Sequence, residues 1–212
     1  GRRPPARGPA TVRAEAEREW TFTWFGQSSK AELNTIRIID ADDLRFRLTS
    51  CSTLPDGQID QKGGKFTAFH DGLSYYYTVI DPRRENFELS ATFTVDYINP
   101  VADGQEGFGI LAMDSLGEHG VSSRNHYTNS AGIIATKFEE TIGGVKKTSK
   151  DTVGARFVTG ITAEVLARGD SGIAESATSV SRACSYDDGA LVKSGDVYRL
   201  TLKKSNTGYH AI

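Results

Sequence analysis

The chain has 212 residues, with 38% hydrophobic, 25% charged and a formal net charge of −2, a balance that suits a globular domain and argues against wholesale disorder. Acidic and basic residues are interspersed, so the basic footprint of a nucleic-acid binder is absent. No window approaches the roughly 18 consecutive apolar residues of a membrane span.

In chain order, 1–9 (GRRPPARGP) reads as a flexible lead-in rich in Pro, Gly and Arg, and 12–19 offers at most a short helical turn with a thin apolar stripe. The domain is expected to occupy 20–212, with 1–19 as linker. Strands are expected at TFTWF (21–25), at 33–39, and at 44–51, where Leu44, Phe46 and Leu48 alternate with Arg45 and Arg47. Turn signals at Pro55-Asp56-Gly57 and Gly63-Gly64 flank a polar loop. The strands expected at 65–69 and 73–80 are joined at Asp71-Gly72, a dipeptide that favours a tight hairpin. Asp81-Pro82-Arg83-Arg84 turns the chain again.

From Asn86 to Ser115 the pattern is strongest. Phe87, Leu89, Ala91, Phe93, Val95 and Tyr97 alternate with Glu88, Ser90, Thr92, Thr94 and Asp96, which defines a strand with one dry and one wet face. Residues 107–113 are apolar or glycine at nearly every position and read as a central strand buried on both faces. With the turn-rich break at 99–104, the two are expected to form one long hairpin.

Residues 116–132 form a glycine- and serine-rich loop. Strands are expected at 132–139 and 154–158, with a turn at Gly143-Gly144 between them. The pattern dissolves over 162–195 and returns at 196–203, where Tyr198, Leu200 and Leu202 face inward. Asn206-Thr207-Gly208 is a turn, and 209–212 begins a last strand. A second arm that short leaves an edge with little to pair with, so the domain is expected to continue beyond Ile212. About a dozen short strands and scarcely any helix indicate an all-β fold, a β-sandwich of jelly-roll type.

Sugar-cleaving sandwiches use paired carboxylates. Glu106, Asp114 and Glu118 are candidates, but acids at i, i+2 and i+4 on one strand face are missing, and the adjacent Glu139 and Glu140 point to opposite faces. The four histidines (His70, His119, His126 and His210) accompany no GxSxG motif. No catalytic residue is assigned. Acidic groups at Asp40, Asp42 and Asp43, and at Asp96, Asp103 and Glu106, leave room for a structural calcium whose ligands are unknown. Cys51 and Cys184 fit either one long-range disulfide or a reduced pair. Trp20, Trp24, Tyr127 and the run Tyr75-Tyr76-Tyr77 raise carbohydrate recognition, because aromatic faces suit the apolar faces of sugars. Tyr75 and Tyr77 share the core face, which leaves Tyr76 accessible. The loop 122–130 could place Arg124, Asn125 and Asn129 beside Tyr127.

The stretches GGKFTAFHDGLSYYYTVIDPRRENFELSATFTVDYINPVADGQEGFGILAMDSLGEHG (63–120) and VYRLTLKKSNTGYHAI (197–212) resemble the non-catalytic module near the N-terminus of large secreted bacterial polysaccharide lyases of the pectate-lyase-like and exopolygalacturonate-lyase kind. The resemblance implies a concanavalin A-like (lectin/glucanase-type) jelly roll, with the catalytic parallel β-helix further along the parent chain. Relatives tend to carry an Arg where this sequence has Met113. The reading that results is a non-catalytic, extracellular or cell-surface carbohydrate-binding module, monomeric within a multidomain chain. Its expected partner is a pectin-like, uronate-rich polysaccharide. The expected ligand contacts are Gln105, Glu106, Asp114, Arg124, Asn125 and Tyr127, with Arg124 the first choice for an acidic sugar. The alternatives are a glycan-cleaving sandwich, glycosidase or lyase, in its own right, and a structural or adhesion domain.

Overall fold

The computed structural model describes residues 18–26, 34–50, 73–98, 106–121, 126–142, 145–186 and 192–212. The expected helical turn at 12–19 (but for its last two residues), the strand at 65–69 with its Asp71-Gly72 turn, and the turns at 55–57 and 63–64 lie outside them. So does Cys51, and with it the question of a bridge to Cys184. The described residues form β1 (Thr21–Phe25), β2 (Thr35–Asp40), β3 (Arg45–Thr49), β4 (Leu73–Tyr77), β5 (Phe87–Thr94), β6 (Glu106–Met113), β7 (Ser130–Ile142), β8 (Val145–Thr159), α1 (Ala163–Ala167), α2 (Gly169–Ser176), β9 (Thr178–Tyr186), β10 (Val197–Ser205) and β11 (Gly208–Ala211). Every strand pair is antiparallel. The fold is all-β.

Two sheets, ordered β11-β10-β5 and β6-β7-β8-β9, enclose the core. Strict alternation in β5 turns Phe87, Leu89, Ala91 and Phe93 inward. On β10 it does the same for Tyr198, Leu200 and Leu202, and these side chains meet Ile110 of β6 and Ile133 of β7. Leu200 and Leu202 are essentially sealed from water, and each burial contributes about 1.5–3 kcal/mol. A neighbouring cluster of Val95, Ile98, Ala135 and Val192 continues the core past the end of β5. Tyr97, expected on the dry face, is 47% exposed, because the strand has already ended at Thr94.

β5 and β6 do not form the expected hairpin. β5 pairs with β10 along its whole length, from Phe87↔Lys204 to Thr94↔Val197, and β6 pairs with β7 in the facing sheet. The two strands therefore belong to different sheets. Alternation records which face is buried and is silent on the neighbour, so a crossover and a hairpin leave the same trace. β6 also ends its sheet in the described order rather than lying at its centre. Its near-continuous apolar character has a local cause. Phe108, Ile110 and Ala112 enter the core, while on the reverse face Gly109 sits where a Cβ would run into the backbone of Ile133 and Ile134.

The segment 162–195, which carries no legible period, holds α1, α2 and β9. Thr162 caps α1 by accepting the Val165 amide at 3.2 Å. Val165 and Ile173 then pack on Val158 and Ile161. Elsewhere, β1 pairs with β4 and β2 with β3. Asn34 Oδ1 accepts the hydroxyls of Ser50 and Ser74 at 3.1 and 2.8 Å, which ties the β2–β3 hairpin to β4.

Candidate functional site: a basic groove beside the β10–β11 turn

A groove of about 360 Å³ opens where the 81–86 turn meets the end of the β10–β11 hairpin, and its walls include Arg83, Arg84, Asn86, Lys204, Asn206 and Tyr209. The turn is built by local hydrogen bonds. Asp81 Oδ1 accepts the Arg83 amide at 3.0 Å, and the Asp81 carbonyl accepts the amides of Arg84 and Glu85. Pro82 presets the backbone angle such a turn needs. Glu85 closes the arrangement by accepting the Asp81 amide at 2.8 Å and the Arg18 guanidinium at 2.7 Å. Those two bonds, the Arg18 one foremost, hold its carboxyl below the usual carboxylate range.

The opposite wall comes from the hairpin. Asn206-Thr207 turns the chain, as expected, and Gly208 adopts a φ of +136° that a side chain would strain. Lys204 reaches across from β10, its Nζ donating to the Glu85 carbonyl at 3.0 Å and to Asn86 Oδ1 at 3.3 Å. Asn86 in turn donates to Asn206 Oδ1 at 2.8 Å. Tyr209 lines the inner end against Phe87. Burial first, and then the charge of Asp114, raises its phenol above the ordinary value.

Arg84 lies 3.5 Å from Asp81 in an exposed pair, its side chain 86% accessible. Pairs of this kind contribute little and exchange partners readily. The groove therefore offers two guanidiniums, an ammonium, two amides and a phenol, and among the described residues its walls hold neither carboxylate nor histidine. Guanidinium forks match carboxylates bidentately, amides match hydroxyls, and an aromatic ring suits the apolar face of a sugar.

None of the described residues expected to bind ligand lines the groove, although the charge of Asp114 reaches Tyr209. Gln105, Arg124 and Asn125 lie outside the described residues. Glu106 opens β6 and Asp114 stands just past its end, eight residues and roughly 26 Å apart at strand rise, so one sugar cannot bridge them. Glu106 shares a cross-strand row with Lys137 and Asp151, and its Oε2 is withdrawn from solvent. Asp114 accepts Asn129 Nδ2 at 2.8 Å, and Asn129 also bonds both backbone groups of Ile161. Tyr127 donates to Asp170 Oδ1 at 2.7 Å and packs on the Val158, Ile161, Val165, Ile173 cluster. Asp114, Asn129 and Tyr127 thus fasten the 161–176 segment to the sheet.

The expected aromatic platform is largely internal. Trp24 is buried. Tyr75 donates its hydroxyl to the Leu111 carbonyl, and burial pushes that phenol well above its ordinary range. Tyr76 is half-buried between Trp20 and Phe46. His119 and His126 bond Thr23 Oγ1 and the Ser115 carbonyl, each at 3.0 Å. Asp40 uses Oδ1 to accept the amides of Asp42 and Asp43, and among the described residues no three His, Cys, Asp or Glu gather as a metal site. No helix among the described residues is long and apolar enough to cross a membrane.

Sequence reasoning missed Arg83, Arg84, Lys204 and Asn206. The available signal was a pair of basic dipeptides, Arg83-Arg84 and Lys203-Lys204, each beside a turn. They meet only because Phe87 pairs with Lys204.

Residues 18–212 match the family model described as the pectate disaccharide-lyase N-terminal domain. The chain is 38% identical over 114 residues to pectate lyase L of Thermoclostridium stercorarium, an alignment covering 53% of this chain and 8% of that protein. It is 41% identical over 63 residues to pectate disaccharide-lyase of Dickeya chrysanthemi, covering 28% of this chain and 8% of that protein. The matched stretches of the chain thus span less than a tenth of the length of these curated relatives. No solved structure matches it.

Proposed function

The chain belongs to the pectate disaccharide-lyase N-terminal domain family, and on that premise we propose that it is a non-catalytic module that binds pectate, or a similar polyuronate, through the basic groove. The single observation that carries this reading is the convergence of Arg83, Arg84 and Lys204 on one groove with Asn86, Asn206 and Tyr209. A polyuronate carries one carboxylate per sugar among hydroxyls and apolar ring faces, and each of those groups has a counterpart in the groove. Among the described residues of the groove walls there is no carboxylate, so the paired acids that glycosidases use for cleavage are not found there.

In a longer parent protein that acts on pectate, as the names of the two relatives describe for those proteins, such a module raises the local concentration of substrate at a tethered catalytic domain. That role places the protein outside the cell, where the polymer is. The facing antiparallel sheets support reading the sandwich as a concanavalin A-like jelly roll. The site expectation moves with this proposal from the Arg124 loop to the groove. Depletion of the purified domain from solution by insoluble polygalacturonate, run with and without a calcium chelator, tests the proposal. Saturable depletion without unsaturated or reducing products is expected. Release of such products would replace the module with an enzyme, and loss of depletion on chelation would bring calcium into the site.

A further inference from the structure

We propose that the groove is one end of a longer track, along which a polyuronate continues over the outer face of the β5–β10–β11 sheet, held by Lys203, His210 and Arg199. The inference rests on the groove being a polyuronate site and adds to it the length of chain recognised. Alternation that turns Leu200 and Leu202 inward turns Arg199, Thr201 and Lys203 outward, and on β5 it exposes Glu88, Ser90 and Thr92. Register aligns these positions into rows. Lys203 lies between Glu88 and His210, Thr201 opposite Ser90, and Arg199 opposite Thr92.

The face is open. The sheet's packing contacts run to β6, β7 and β8 on its inner side, while Glu88, Ser90, Thr92, Arg199, Lys203 and His210 are all exposed. It meets the groove at the end of the β10–β11 hairpin. Lys204, in the groove wall, and Lys203, on the outer face, are neighbours on β10 that project to opposite sides of the strand, so the polymer rounds this end of the sheet to pass from one to the other. From there Arg199 stands four residues on, roughly 13 Å along the strand. Positive groups therefore recur from Arg83 and Arg84, through Lys203, to Arg199, although the chain as a whole is net negative. The hydroxyls of Ser90 and Thr201, bonded to each other at 2.7 Å, lie between the last two cations and suit sugar hydroxyls. The one acid in these rows, Glu88, holds Lys203 at 3.3 Å in an exposed pair. A ligand carboxylate can displace a pair that weak.

The test is calorimetric titration with oligogalacturonates of increasing length against the wild-type domain and the variants R199Q/K203Q, E88Q and R83Q/R84Q, with circular dichroism checking that each is folded. Affinity is expected to rise with length beyond the shortest oligomer bound. R199Q/K203Q is expected to lower the affinity for long oligomers at least about fivefold, toward that for short ones. E88Q is expected to strengthen long-oligomer binding, whereas R83Q/R84Q weakens every length. Wild-type affinity at all lengths in R199Q/K203Q, with R83Q/R84Q still impaired, would overturn the track and leave the groove standing. Failure of the wild-type domain to bind any length would remove both.

Discussion

Lys204 Nζ donates to the backbone carbonyl of Glu85 at 3.0 Å, so a cation on β10 fixes the turn that carries Arg83 and Arg84. The same ammonium is both a strut of the groove and part of its positive charge. Lys204→Met keeps the bulk of the stem and removes the head. It is expected to cost about 1 kcal/mol of stability from the lost charge-assisted bonds, and to weaken polygalacturonate binding more than Lys203→Met does. Equal losses in the two variants would show that the strut is dispensable to the site.

Lys137 and Asp151 form a pair 3.0 Å apart on adjacent strands, and both are almost wholly buried. Asp151 Oδ2 also accepts the Val192 amide at 3.0 Å, which anchors the loop before β10. Removing one partner strands a charge in the interior. Asp151→Ala is therefore expected to cost about 3–5 kcal/mol in urea denaturation, far more than loss of the exposed Lys203–Glu88 pair. A cost below about 1 kcal/mol would mean that water reaches the site.

Gly109 faces the Ile133 and Ile134 backbone so closely that a Cβ has no room. Gly109→Ala must push β6 away from β7, and overpacking of this kind costs about 1–3 kcal/mol. A lower thermal midpoint is expected, whereas alanine at an exposed strand position such as Thr92 should leave it nearly unchanged.

Tyr198 is pushed up to about 12, first by burial and then by its 3.0 Å bond to Asp196. Because its folded value exceeds its unfolded one, the neutral phenol contributes stability in full below the ordinary tyrosine value of about 10. That contribution is lost as the pH climbs through about 12. Followed by tyrosinate absorbance, Tyr75 and Tyr198 should ionise together with alkaline unfolding. Tyr198→Phe should remove part of the steepness of that transition. An early, reversible ionisation of Tyr75 or Tyr198 would contradict the settings assigned to both.

What was legible in the sequence were the strand faces. The alternation of Phe87, Leu89, Ala91 and Phe93, and of Tyr198, Leu200 and Leu202, marks the core because a sheet buried on one side leaves a period of two. Pairing was not legible. The β5–β10 partnership joins segments distant in sequence, and nothing in either strand names the other. The helices after Thr162 were hidden because they are short and present only Val165 and Ile173 to the core. The groove was hidden for the same reason as the pairing. Arg83-Arg84 and Lys203-Lys204 look like solvated charges beside turns until the register brings them together. Glu106, by contrast, was expected among the ligand contacts, and only the row it shares with Lys137 and Asp151 shows that it faces inward.

The measurement that bears most directly on the central claim compares binding of the wild-type domain and Arg83→Gln/Arg84→Gln to polygalacturonate and to highly methyl-esterified pectin, each at low and high salt. Exposed guanidiniums that read carboxylates should give wild-type binding that falls with esterification and with salt. The double variant should lose roughly tenfold in affinity at low salt, about 0.7 kcal/mol for each guanidinium. Undiminished binding by the double variant, or equal binding of the esterified polymer, would show that the groove beside Tyr209 is not where the polysaccharide is held.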